Sequence, residues 1–130
     1  FLAVAVAGAA LVAAELGEYR LAAKSYEQLQ EIAIDDSLFT NPVGGKKITG
    51  TLIDFDALRA INPDIVAWIS ADGLSINHPV VQGMDNEYYL NRLFDRTPSK
   101  AGCPYMDYRN QQGDRHIIIY AHNRLDESMY

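Results

Sequence analysis

Two side chains in this 130-residue sequence are suited to covalent chemistry as a pair: Cys103, the sole cysteine, and His122. A thiolate can attack a carbonyl carbon, and a neighbouring imidazole can take up the thiol proton and return it to a leaving group. His122 follows Ile117-Ile118-Ile119-Tyr120-Ala121, a β-branched apolar run that reads as a buried strand, and precedes the polar Asn123-Arg124. A strand ending there would hold an imidazole at a sheet rim, fixed by the sheet and open to substrate. That is a place for a general acid or base working near neutral pH.

Whether Cys103 belongs with it depends on register. Cys103 to Tyr108 reads as the preceding strand and Arg109 to Asp114 as the turn of a hairpin. Pairing Tyr108 with Arg115 puts Cys103 opposite Tyr120 and His122 one diagonal step away on the same face. A slip of one residue puts them on opposite faces. Pro104 and the apolar neighbours equally suit a buried, inert thiol, and that reading is favoured. With one cysteine there is no internal disulfide to expect.

A third constellation precedes the hairpin. Asp85-Asn86-Glu87-Tyr88-Tyr89-Leu90-Asn91 begins with capping residues and reads as a short helical turn. Four-residue spacing puts Asn86 and Leu90 on one face, an amide beside an apolar patch. Such a pair suits a peptide groove, with the amide meeting peptide backbone and the leucine a side chain; a capping Asn86 and a core Leu90 fit the spacing as well. His78 and His116 stand in segments of different type from His122, and the sequence has no CxxC pair or HExxH helix. No metal or cofactor site is expected.

The elements that must position these residues are legible in outline. Composition, 48% hydrophobic and 22% charged, is that of one globular domain. Acidic residues outnumber basic ones 17 to 11 and the basic ones are scattered, which argues against a nucleic-acid partner. The first fourteen residues are uncharged, shorter than the roughly 20 needed to span a bilayer. They are expected to be the outer part of a signal anchor continuing upstream, with an Ala-rich core helix and a cleaved signal peptide as the less favoured readings. Residues 15 to 34 place Leu16, Tyr19, Ala22 or Ala23, Tyr26, Leu29 and Ala33 at helical spacing, an amphipathic stalk helix. A linker runs to residue 50, carrying the turn residues Asp35-Asp36-Ser37 and Asn41-Pro42-Val43-Gly44-Gly45.

From residue 51 a domain begins. Asp54 caps a short helix to Ile61, stopped by Asn62-Pro63-Asp64. Strands follow at 65–70, 75–77 and 79–82, with Pro79 marking an edge or a strand start. Short strands and turns at this spacing predict a mainly β fold, a barrel or sandwich, preceded by N-terminal helices.

Four blocks in order, INPDIVAWI, INHPVVQGMDNEYYLN, AGCPYMDYRN and IIIYAHNRLDESMY, resemble the class B sortases, the membrane-anchored cysteine transpeptidases of Gram-positive bacteria. The resemblance covers roughly residues 52 to 130. It implies the N-terminal part of a sortase-type β-barrel, with His122 as the catalytic histidine and Asn86 and Leu90 lining the sorting-signal groove. Ala121 stands where the family usually has Gly, and Arg124 where it usually has Met. The family's nucleophilic cysteine and its arginine both come after the histidine, and Cys103 does not match the nucleophile's position. The resemblance therefore implies a piece of a longer enzyme. That enzyme would cleave an Asn-Pro-x-Thr-x-like sorting signal of secreted surface proteins and pass it to an amine of peptidoglycan or pilin. It would be a single-pass membrane protein with its catalytic domain outside. The alternatives are a noncatalytic, surface-anchored peptide-binding module and, less favoured, a hydrolase using Cys103 and His122.

Overall fold

A computed structural model of the chain describes the backbone over residues 2–43, 46–71 and 76–122, and side chains over 10–34, 52–71 and 76–122. The first element, α1, is one uninterrupted helix, Leu2–Ala33. Ala22, Tyr26, Leu29 and Ala33, spaced by four, three and four, are buried, and Tyr19 packs against the same core. This is the stripe that the helical spacing predicts. Leu16 falls outside it at 50% exposure, as do Leu11 and Val12. Among the described side chains the packed part of α1 begins at Tyr19, and Leu11, Val12 and Leu16 before it stay exposed.

Among the described residues no helix is long and apolar enough to cross a membrane. The expected anchor segment is continuous with α1, and the charges Glu15, Glu18 and Arg20 interrupt its apolar stretch.

The expected linker is instead an antiparallel hairpin, β1 (Ile34–Val43) and β2 (Lys46–Ile53), in register from Ile34↔Ile53 to Val43↔Lys46. Leu38-Phe39-Thr40 and Ile48-Thr49 are strand formers that can pair across the turn region, and this pairing outweighs the local turn signals at Asp35-Asp36-Ser37. Those signals coincide with an irregularity in the ladder between Asp35 and Phe39. Gly44 and Gly45 lie outside the described residues.

Helix α2, Phe55–Ile61, forms as expected. Asp54 Oδ1 accepts from the backbone N–H groups of Asp56 and Ala57, a cap that stabilises by about 1 kcal/mol, and Asn62 ends the helix. The helix buries Leu58 completely, a contribution of about 1.5–3 kcal/mol.

Beyond α2 lies a four-stranded sheet ordered β3-β4-β5-β6: Ile65–Ala71, Ile76–Val81, Tyr105–Met106 and Ile119–Tyr120. β3 and β4 are antiparallel, β4 and β5 parallel, β5 and β6 antiparallel. β4 and β5 pair only at Val81↔Tyr105, so at Pro79 the strand has no partner on the β5 side. The proline thus sits at a local edge, as its missing N–H requires.

Three sequence expectations need correction. The N-terminal helices precede strands as expected, but α1 alone takes 32 residues, and what stands for the expected barrel or sandwich is, among the described residues, a four-stranded mixed sheet with a separate two-stranded hairpin. The strand before His122 is two residues long and exposed: Ile117, Ile118 and Ile119 are 49%, 48% and 37% accessible, since among the described residues β6 pairs with β5 alone. Finally, Tyr105 pairs with Tyr120 and Met106 with Ile119, two residues off the predicted register. Asn110 explains that shift. Its Oδ1 accepts from Ile118 N–H and its Nδ2 donates to His116 O and Asp114 Oδ2, holding residues 107–118 as a long loop.

Candidate functional site

The site is built where β6 ends, against the one-turn 3₁₀ helix Tyr88–Asn91. Asp85 starts that turn by accepting the N–H groups of Glu87 and Tyr88 on Oδ1. Tyr89, 1% exposed, pins it: its hydroxyl donates to Asp64 Oδ2 at 2.6 Å and accepts from Asn62 Nδ2 at 2.9 Å. Arg96 pairs with the same Asp64 oxygen at 3.0 Å. Burial first, and then the bond to Asp64, push the Tyr89 phenol up to about 12. The polar groups under the turn are thereby satisfied, which fixes the direction of the next carbonyl, that of Leu90.

His122, half-buried, places Nε2 2.8 Å from that carbonyl oxygen. A carbonyl can only accept, so Nε2 carries the proton and the neutral ring keeps Nδ1 as its proton acceptor. The other wall of the ring's seat is Gly102. Its φ is +62°, and a Cβ there would stand 2.7 Å from both His122 Cδ2 and Leu90 O. Only glycine fits, by backbone conformation and by space.

The structure brings His122 and Leu90 together, through the leucine's backbone carbonyl. The Leu90 side chain is half-buried against the core. Asn86 precedes the 3₁₀ turn and is occupied: Nδ2 donates to Asp107 Oδ2 at 3.0 Å, and Oδ1 accepts from Tyr108 N–H at 3.1 Å. One amide N–H and one lone pair of Asn86 remain.

Cys103 is 1% exposed within the core, and burial, followed by the charge of Asp95, pushes its thiol far above the usual range. Its neighbourhood is that of an inert thiol, and the ring of His122 hydrogen-bonds elsewhere. Among the described residues no cluster of His, Cys, Asp or Glu stands ready to hold a metal. A cavity of about 420 Å³ opens beside the turn, lined by Asp64, Gly83, Met84, Asp85, Tyr88 and Arg96, and includes neither His122 nor Leu90.

Sequence reasoning missed Asp107, which joins the parts. Its 2%-exposed carboxylate accepts from Arg109 Nε and Nη2, Arg109 N–H, Asn86 Nδ2 and Tyr120 Oη. Those bonds, Arg109's above all, hold it well below the ordinary carboxylate range. Asp107 ties the segment bearing Asn86 to β5 and to β6, which leads into His122. An acid and an arginine two residues apart at a strand end were the available signal. For Gly102 it was a glycine two residues before a proline.

No family model matches the chain. A curated relative, Sortase B of Staphylococcus aureus, is 41% identical over 78 residues, 58% of this chain and 32% of the relative. The crystal structure of sortase B from Bacillus anthracis in complex with AAEK1 superposes with a TM-score of 0.72 at 33% identity, covering 88% of this chain and 53% of that one. A Staphylococcus aureus sortase B–substrate complex superposes with a TM-score of 0.55 at 42% identity, over 58% of this chain and 36% of the other. In sequence and in fold this chain is a relative of the class B sortases. It spans about a third of the curated relative (32%) and about half of the Bacillus anthracis chain (53%).

Proposed function

We propose that the protein is a cysteine transpeptidase that cleaves an Asn-Pro-x-Thr-x-like sorting signal and joins the product to an amine of peptidoglycan or pilin, with His122 as its acid and base. The observation that carries this reading is the seat of His122. One ring nitrogen is committed to Leu90 O at the end of a strand, so proton exchange with substrate falls to the other. The relation to class B sortases, one of them solved as a substrate complex, supports the substrate class.

In this reading a thiolate attacks the threonine carbonyl carbon, the C–N bond breaks, and the imidazolium of His122 gives its proton to the departing amine. The resulting thioester is then attacked by the acceptor amine. His122 takes that amine's proton, and the thiolate leaves with its electron pair. The nucleophile is a cysteine other than Cys103, whose burial denies it both a substrate and a thiolate. Asn86 and Leu90 lie along the peptide's path, Asn86 through the amide N–H and lone pair that Asp107 and Tyr108 leave over. Membrane attachment, with the site facing the cell exterior where both acceptors are found, belongs to the same reading.

The test supplies the full-length protein with a fluorogenic sorting peptide and an amine acceptor. Ligated product that survives Cys103→Ala is expected. Cleavage abolished by Cys103→Ala in a folded protein would favour the in-chain hydrolase. Binding of the peptide with no turnover would favour the noncatalytic module.

A further inference from the structure

Helix α1 lies far from His122 in sequence, yet it meets the loop behind the imidazole at the surface, where Glu18 Oε1 accepts the Lys100 N–H and Glu15 pairs with Lys100 Nζ, and in the core, through Tyr26. Tyr26, 5% exposed, donates its hydroxyl to the carbonyl oxygen of Gly102 at 3.2 Å across 76 residues of chain. Its ring is held in turn, 5.0 Å from His78 and 5.2 Å from Phe94 between centroids. The same glycine donates its N–H to Ser99 O at 3.2 Å, and the next residue, Cys103, donates to Tyr89 O at 3.4 Å. The Gly102 peptide is therefore tied to α1, to its own loop and to the 3₁₀ turn. Its bare Cα faces the imidazole in a conformation, φ +62°, that a side chain would strain.

We propose that Tyr26 and Gly102 are positioning residues for His122, through which α1 and the 99–103 loop clamp the ring so that Nε2 donates to Leu90 O. Neither touches substrate; both act through the ring. The geometry leaves little alternative for the imidazole. Any side chain at Gly102 would meet Cδ2 and the Leu90 oxygen together, and the oxygen is backbone that cannot swing aside. The catalytic meaning of the clamp rests on the reading of His122 as proton carrier, whereas the clamp itself can be tested without turnover.

The experiment is ring-nitrogen NMR of His122 in the uniformly ¹⁵N-labelled 130-residue chain, compared with Tyr26→Phe and Gly102→Ala. The unsubstituted chain should show a proton on Nε2 that exchanges slowly with water, as a half-buried N–H donated to a carbonyl does. In Tyr26→Phe, which keeps the ring and its packing, that proton should exchange faster while the backbone amides of β3 and β4 keep their protection. In Gly102→Ala it should be lost and both ring nitrogens should shift. Absence of a protected Nε2 proton in the unsubstituted chain would overturn the proposal, as would ring signals left unchanged by Tyr26→Phe. If Gly102→Ala does not fold, Tyr26→Phe decides. A clamped ring in a protein whose His122→Ala variant still turns over would end the catalytic reading and leave the clamp intact. An unclamped ring in a protein that needs His122 would do the reverse.

Discussion

Asn86 and Asp107 meet at 3.0 Å, the amide nitrogen of one donating to the carboxylate of the other, while Asn86 Oδ1 takes the N–H of Tyr108 at 3.1 Å. The pair bridges the segment before the 3₁₀ turn to the end of β5, and its orientation matters. An amide can donate to Asp107 and accept from Tyr108 at once, but a carboxylate in its place could only accept. Asn86→Asp should therefore destabilise the chain more than Asn86→Ala near neutral pH, because it sets two carboxylates against each other. The excess should shrink in acid. Urea midpoints of the two variants at several pH values check the ranking, and Asn86→Asp equal to or more stable than Asn86→Ala would refute it.

Asp107 sets the acid response. Its folded carboxyl titrates below the ordinary range, chiefly because Arg109 hydrogen-bonds it, so its contribution is complete above the unfolded value of about 3.9 and is lost as pH falls through the lower folded one. Asp85 and Asp114 are lowered too and act in the same sense. Stability should fall with acid below about pH 4. The deficit of Asp107→Asn relative to the parent should be largest near neutrality and narrow in that window. A deficit independent of pH, followed by chemical denaturation, would show that the charge of Asp107 is unimportant.

Tyr89 gives the alkaline counterpart. The folded chain favours the neutral phenol, raised from 10.0 to about 12, so the stability tied to it is complete below the unfolded value and lost as pH rises between the two. Tyr105 and Tyr120 are raised as well and add to the same slope. Near-ultraviolet absorbance should show one tyrosine ionising near 12 in the parent and missing from Tyr89→Phe. The variant should also lose stability at neutral pH, because Asn62 and Asp64 lose a buried partner, a cost of about 1–3 kcal/mol. All tyrosines titrating together near 10 would contradict this environment.

Cys103 is expected to ignore alkylating reagents in the native chain and to react once the chain is unfolded in denaturant. Buried to 1% exposure, with its thiol pushed up by desolvation, it offers neither access nor a thiolate. Rapid native labelling by iodoacetamide would reinstate the pairing with His122.

How far the sequence could be read depended on whether local signals were also the winning ones. α2 was legible to the residue because its cap and stop are local: Asp54 bonds its own first turn, and Asn62 ends it. The buried stripe of α1 is legible in its spacing, but where the stripe begins is not, because the packing of Tyr19 and not Leu16 against the core depends on what lies opposite. The β1–β2 hairpin was hidden under turn residues, since strand pairing is a property of two segments together. The register before His122 was misjudged for the same kind of reason: the side chain of Asn110 holds a longer loop than turn residues alone would suggest. The sequence points to His122 and to Leu90, yet the contact between them uses a backbone carbonyl that no side-chain pattern reveals. Gly102 and Tyr26 act only through three-dimensional proximity, and a helical stripe gives Tyr26 no distinction from its neighbours.

The account turns on His122. The most direct measurement is kcat for sorting-peptide cleavage by the full-length protein and by its His122→Ala variant, with circular dichroism to confirm that the variant folds. Loss of a general acid and base predicts a fall of about 10²–10⁴-fold in kcat. A folded His122→Ala protein that turns over within about tenfold of the parent would contradict the central claim, leaving the ring a structural hydrogen-bond donor to Leu90.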